Sequence, residues 1–327
     1  MPSLITASWA AWRAVNIPSA APAGPDFTTA IVKLGIRVPP EARTAQTLGV
    51  EREGTGVVID DAGHILTIGY LLLEAESIIV ITGDGRVLPA GVTGFDHATG
   101  FGLVRVTQPL GCGPLAMGSS ADARELVPAV IAAHAAAGGL SDACIVSRRA
   151  FTGWWEYALE DAIFTAPARD NHSGAALLNA AGELIGIGSL WVGDALDGGV
   201  AFPGNMFVPT ELLQPILTDL KTHGRRSGSA RPWLGVYSEE LRQHVVVTQV
   251  LRDSPAERGG LRRGDIVLAI GGQAIGSQVE FYHTLWASGA AGIEVTLQVW
   301  RNKTVRELSV RSIDRMEYLR PWTSFAH

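Results

Sequence analysis

The chain has 327 residues, a formal net charge of −6, 47% hydrophobic residues and 18% charged residues. That much apolar material can fill two or three packed domains, which argues against global disorder. No long basic run points to nucleic acid as a partner, and no stretch approaches the ~18 consecutive apolar residues of a membrane span.

Residues 1–27 are rich in Ala and Pro and read as a flexible N-terminal arm. The mildly apolar run 2–12 has no basic segment before it, and Arg13 interrupts it early. A secretory signal needs positive charge and then a longer apolar core, so the expected compartment is the cytoplasm, or the periplasm if the start codon is misassigned. From residue 28 short apolar strands begin. Residues 56–59 and 64–67 flank the turn 60–63, and residues 77–81 and 87–90 flank the Asp-Gly turn 83–86. Strand–turn–strand units at this spacing predict a barrel or sandwich. A second run of strands occupies about 125–208, with 176–179 and 183–187 around the turn 180–182. Residues 209–220 carry helical spacing, and Pro215 should kink that helix or push its start later. The polar, Gly-rich segment 223–230 is the clearest linker, with Arg225 and Arg226 read as solvated within it. Beyond it, strands are expected at 245–247 and 295–299 and a helix at 278–287. The two cysteines, Cys112 and Cys144, read as half-buried free thiols. No Cys/His spacing suggests a metal, and no cofactor is expected.

The combined order resembles the HtrA (Deg) family over about residues 28–313. The first barrel shows Gly54-Thr55-Gly56-Val57 and then Ile65-Leu66-Thr67-Ile68-Gly69-Tyr70. In the family a catalytic histidine stands where this chain has Tyr70. The frame 94–104 is kept, but Gly100 takes the place of the family's aspartate. The serine motif is Asn171-His172-Ser173-Gly174-Ala175, approached by a stretch from Thr165 that is one residue short. Arg231-Pro232-Trp233-Leu234-Gly235-Val236 is similar to the carboxylate-binding loop of a PDZ domain, and 253–270 is close to that domain's signature. The resemblance implies an all-β dominated chain, a chymotrypsin-like double β-barrel followed by an α+β PDZ domain. The implied domains are a double barrel over 28–222, a linker over 223–230, a PDZ domain over 231–313 and a tail over 314–327.

The chemistry follows from the residue types. A serine hydroxyl needs a base within hydrogen-bond reach, and a phenol with a pKa of about 10 is no substitute for imidazole. Gly100 supplies no carboxylate to orient a base. Loss of the base or the nucleophile of such a triad costs on the order of 10⁶ in turnover. No histidine is placed by spacing to replace the missing base. His172 adjoins Ser173, but neighbouring side chains in a turn point apart. His64 reads as an exposed turn residue, His97 follows Asp96 in an Asx-type turn, and His134 marks a strand end or loop. Oxyanion donors would be the backbone at Asn171 and Ser173, Asn being tolerant of a left-handed backbone. The aromatics Trp154, Trp155, Tyr157 and Trp191 read as barrel packing or as a cap on a partner site. Around the PDZ loop, the N–H groups of Leu234, Gly235 and Val236 would hold a terminal carboxylate, beside Trp233, while Leu234, Val236 and Leu285 form an apolar pocket. The expected function is a pseudoprotease that binds peptides or protein C-termini as an adaptor or scaffold, with a possible homo-oligomer. The alternative is an active serine endopeptidase using Ser173 with a displaced base.

Overall fold

The computed structural model describes residues 27–196 and 201–321. The arm expected over 1–27 lies outside the described residues apart from Phe27, as does the last part of the expected tail.

Six strands form the first barrel: β1 (Ile31–Arg37), β2 (Glu51–Val58), β3 (His64–Ile68), β4 (Ser77–Ile81), β5 (Val87–Phe95) and β6 (Phe101–Val106). They close in the order β1-β2-β3-β6-β5-β4. Alternation drives the closure: Val32, Leu34 and Ile36 share one face of β1 and are buried. A short helix, α1 (Ala45–Leu48), lies between β1 and β2. Both expected hairpin turns join the expected strands. In the first, Asp60 Oδ1 accepts the N–H groups of Ala62 and His64, each at 3.0 Å. His64 is not the exposed turn residue its neighbourhood suggested. It is buried, with Nδ1 2.8 Å from Asp60 Oδ2, because Lys221 Nζ (2.6 Å) and the ring converge on one carboxylate.

The second barrel holds β7 (Pro128–Ala132), β8 (Leu140–Gly153), β9 (Tyr157–Ala166), β10 (Ala176–Leu178), β11 (Leu184–Val192) and β12 (Gly204–Pro209), closed as β10-β11-β12-β9-β8-β7. Helix α2 (Leu217–His223) begins after Pro215, as the ring's missing donor requires. Its end is tied to the first barrel, where the Phe95 N–H donates to Gly224 O at 3.0 Å. The linker that follows is pinned. Arg226 grips Asp96 with two donors at 3.2 and 2.9 Å, and Arg225 reaches Asp314 at 2.9 Å. The pair read as solvated therefore bridges the two domains, through partners distant in sequence.

The last domain is a sheet of β13 (Val236–Leu241), β14 (His244–Val250), β15 (Ile266–Ile270), β17 (Glu294–Arg301) and β18 (Thr304–Arg311) in path order, with β16 (Gln273–Ala274) on β15. β13 is an edge strand. Helix α3 (Pro255–Arg258) is capped by Ser254. Helix α4 (Gln278–Ala287) opens on a reciprocal cap, in which Ser277 Oγ accepts the Glu280 N–H and Glu280 Oε2 accepts the Gly276 N–H. Its Phe281, Tyr282 and Leu285 are buried. The segment expected as a tail carries α5 (Arg315–Tyr318) and touches both domains. The Tyr318 hydroxyl donates to Arg252 O (2.8 Å), and the Arg320 N–H donates to Glu74 Oε1 (3.1 Å).

Candidate functional site

Tyr70 lies on a single 3₁₀ turn, Gly69–Leu72, that leaves β3. The turn is held from beneath by Arg52 of β2, whose Nη1 donates to the carbonyls of Tyr70 (3.0 Å) and Leu73 (2.9 Å). Burial lowers the Arg52 pKa to about 10 against the opposing pull of Glu74. Ser173 sits in the turn between β9 and β10. Its carbonyl accepts the Thr55 N–H at 2.9 Å, which docks the turn onto β2. Gly174, at φ +75°, makes this approach possible, since a Cβ there would run into Thr55 O.

The structure brings Tyr70 and Ser173 together. The Tyr70 hydroxyl donates to Ser173 Oγ at 2.7 Å and shares its proton with Ser189 O at 3.0 Å. Burial pushes the Tyr70 pKa up to about 12, more than the Ser173 bond lowers it, so the phenol is neutral near pH 7. A nucleophilic serine must give its proton to an acceptor. Here Oγ accepts a hydrogen bond instead, from the neutral Tyr70 phenol.

Gly100 is beside the same turn, its carbonyl accepting the Gly69 N–H at 2.7 Å. Its φ is +83°, and a Cβ would lie 3.2 Å from Tyr157 Oη. That hydroxyl donates to Thr99 O at 2.7 Å and so fills the space a carboxylate would need. Burial, then Asp96, pushes the Tyr157 pKa up. The Asx-type turn is present, with Asp96 Oδ2 accepting the N–H (2.9 Å) and hydroxyl (2.7 Å) of Thr99.

Three of the histidines are engaged elsewhere. His64 is on Asp60, His172 Nδ1 meets Arg169 O at 3.0 Å, and His97 Nε2 lies 3.0 Å from Met316 Sδ. His134 follows β7, and its backbone N–H donates to Thr55 Oγ1 at 3.1 Å. Asn171 is not among the residues with positive φ. It does not take the left-handed backbone that its tolerance allowed. Cys112 and Cys144 are free thiols, half-buried and buried respectively. Among the described residues no group of His, Cys, Asp or Glu could hold a metal ion.

The second site is the loop before β13. Its N–H groups converge on one carboxylate, that of Glu156. Leu234 donates to Oε2 at 3.0 Å, and Gly235 (2.6 Å) and Val236 (3.0 Å) donate to Oε1. Gly235 adopts φ +82°, and a Cβ there would press on Ser254 and the Trp233 ring. Glu156 ends the tight turn 154–156 that joins β8 to β9, Gly153 pairing with Tyr157 across it. The turn sits against β13 and α4. The Ser238 N–H donates to Trp154 O (2.9 Å), the Tyr282 hydroxyl to Gly153 O (2.7 Å), and the Glu156 N–H to the Tyr282 hydroxyl (3.2 Å). Trp154 packs edge-on against Tyr237 with ring centroids 4.6 Å apart. Burial raises the Glu156 pKa to about 6, opposed by the N–H groups of Val236, Leu234 and Gly235 and by Arg315. Trp233 does not join this loop as a donor, because its N–H is committed to Ile313 O at 3.1 Å. Leu234, Val236 and Leu285 are all fully buried, so the expected apolar pocket is closed in this structure. Sequence reasoning singled out the aromatics of the 154–157 run and passed over Glu156. Its partners are 78 to 80 residues away, and no local pattern announces them.

Residues 54–187 match a trypsin-like peptidase domain, and residues 232–311 match a PDZ domain. The chain is 27% identical over 235 residues to the serine endoprotease DegS of Haemophilus influenzae, covering 69% of this chain and 67% of that protein. The chain thus joins a trypsin-like peptidase domain to a PDZ domain, and its relatives are HtrA-type serine endoproteases. An HtrA relative named as a probable periplasmic serine endoprotease, DegP-like, from Pseudomonas fluorescens is 28% identical over 282 residues. That alignment takes in 80% of this chain but only 55% of the relative. Among solved structures, the HtrA-type protease AlgW with decapeptide superposes with a TM-score of 0.54 at 23% identity, covering 90% of this chain and 96% of that one. At that identity the likeness concerns the fold. No helix of the described residues is long and apolar enough to cross a membrane.

Proposed function

We propose that this chain is a proteolytically silent member of the HtrA family that binds peptides or protein C-termini through its PDZ loop and serves as an adaptor or scaffold. One observation carries the first half: the Tyr70 hydroxyl donates to Ser173 Oγ at 2.7 Å. With Gly100 and the Tyr157 hydroxyl in the acid's place, both the base and its orienting carboxylate are missing, and the triad acts as a unit. The second half is supported by the loop's chemistry. Three backbone N–H groups already satisfy a carboxylate, and β13 is the edge strand of its sheet, the kind of edge to which an extended peptide adds, with its Ser238 N–H taken by Trp154 O in this structure. AlgW, which shares this fold and was solved with a decapeptide, supports the same reading. The names of the DegP-like relatives favour the periplasm over the cytoplasm.

The competing reading, an active serine endopeptidase using Ser173, draws on the relatives' names. A fluorophosphonate probe separates the two. No labelling of the folded chain is expected, whereas labelling abolished by Ser173→Ala would establish the active enzyme. For the binding half, labelled peptides with a free C-terminus are compared with their amidated forms by fluorescence anisotropy. Equal binding of both forms would end the carboxylate reading.

A further inference from the structure

The hairpin tip that occupies the PDZ loop has the spacing of a bound peptide end. Glu156 presents a carboxylate to the N–H groups of residues 234–236. Two positions upstream, Trp154 presents its carbonyl to the N–H of Ser238. Val236 and Ser238 are themselves two apart on the edge strand, so their outward donors fall on one side of it. A strand added to that edge meets the same alternate N–H groups. The hairpin thus reproduces both elements of peptide capture, the terminal anion and the strand-edge bond, within one chain.

The backbone at Glu156 points the same way. Its φ is +56°, in the left-handed region. The last position of a three-residue hairpin loop takes that conformation by design and favours Gly or Asn. A glutamate there is strained, and its side chain is 6% exposed in a site that raises its pKa. Turn geometry and solvation both disfavour it, and only the three loop donors account for it.

We infer that the 153–157 hairpin is an internal ligand that closes the PDZ groove in cis, so that an outside C-terminus binds only by displacing Glu156. This rests on the reading of the loop as a C-terminus-binding site. Because the competitor is tethered, it acts at a high effective concentration, and the apparent affinity for an outside peptide falls by the fraction of molecules in which the groove is open. The hairpin therefore sets a threshold that a weak or amidated peptide does not cross.

The test uses the full chain as wild type, Glu156→Gly and Glu156→Gln. Glycine relieves the backbone strain and removes the plug. Glutamine keeps its shape without the charge and guards against a folding defect in the first variant. Two readouts are taken, the affinity for a fluorescein-labelled peptide with a free C-terminus and hydrogen exchange of the 234–238 amides. At least tenfold tighter binding and faster exchange are expected in Glu156→Gly, with Glu156→Gln between it and wild type. Equal affinity and equal exchange in all three proteins would overturn the internal ligand while leaving a functional PDZ site. Faster exchange with no binding by any variant would support the plug and end the C-terminus-binding reading instead.

Discussion

Gly100→Asp, which restores the family's acid, should damage the fold rather than repair the site. Glycine sits there at φ +83°, and a residue with a Cβ costs about 1–2 kcal/mol in that region. The new Cβ would stand 3.2 Å from Tyr157 Oη, so the carboxylate must evict the hydroxyl that satisfies Thr99 O. Leaving that buried carbonyl unpaired costs about 1–3 kcal/mol more. The total is about 2–5 kcal/mol, and at about 2–4 °C per kcal/mol for a barrel pair of this size the melting temperature falls by about 4–20 °C. Thermal melts of Gly100→Ala, Gly100→Asp and each in a Tyr157→Phe background divide the cost. Alanine reports the strain alone, and the Tyr157→Phe background should recover about 1 kcal/mol or more of the aspartate's cost. Combined with Tyr70→His, the Gly100→Asp protein should still resist fluorophosphonate. A Gly100→Asp protein within 1 kcal/mol of wild type, or one whose cost ignores Tyr157, would refute this account of the acid's place.

Tyr70→Phe should lower stability by about 1–2 kcal/mol in urea titrations, because Ser189 O and Ser173 Oγ both lose their buried donor. The same variant should leave Ser173 unlabelled by fluorophosphonate, since removing the phenol adds no base. The Glu156 carboxyl, lifted from 4.5 to about 6, holds its proton more tightly folded than unfolded. Its contribution to stability is therefore complete below pH 4.5 and is lost as pH rises through 6, by about 2 kcal/mol at the ordinary conversion. Urea midpoints at pH 4.5 and pH 7 should show this component in wild type and lose it in Glu156→Gln.

The strands were legible where turn chemistry is local. The Asp60 turn and the Gly83–Arg86 dipeptides join the strands they predicted, and the helix read at 278–287 begins on the Ser277–Glu280 cap. Pro215 delayed α2 as a ring without a donor must. The failures are contacts between residues far apart in the chain. Arg225 and Arg226 looked solvated because Asp314 and Asp96 are 89 and 130 positions away. His64 looked exposed, yet it is buried beside an Asp60 carboxylate that Lys221, far along the chain, also reaches. At the candidate site, Tyr70, Gly100 and Ser173 could be found by their motif positions. The proton's direction between Tyr70 and Ser173 and the arrival of Tyr157 from the second barrel could not be.

Glu156 and Tyr157 are consecutive residues, yet one closes the peptide loop and the other fills the place of the acid. If the turn residue and the first residue of β9 move together, the two sites are thermodynamically linked. Whatever draws Glu156 out of the loop lowers the work of lifting Tyr157 from Thr99 by the same factor that runs in the other direction. A partner bound at the PDZ edge would then be felt beside Gly100, where Tyr157 meets Thr99, as loosened packing. Conversely, a substitution at Gly100 that displaces Tyr157 would tune how readily the chain accepts a partner, with no change in the PDZ domain itself.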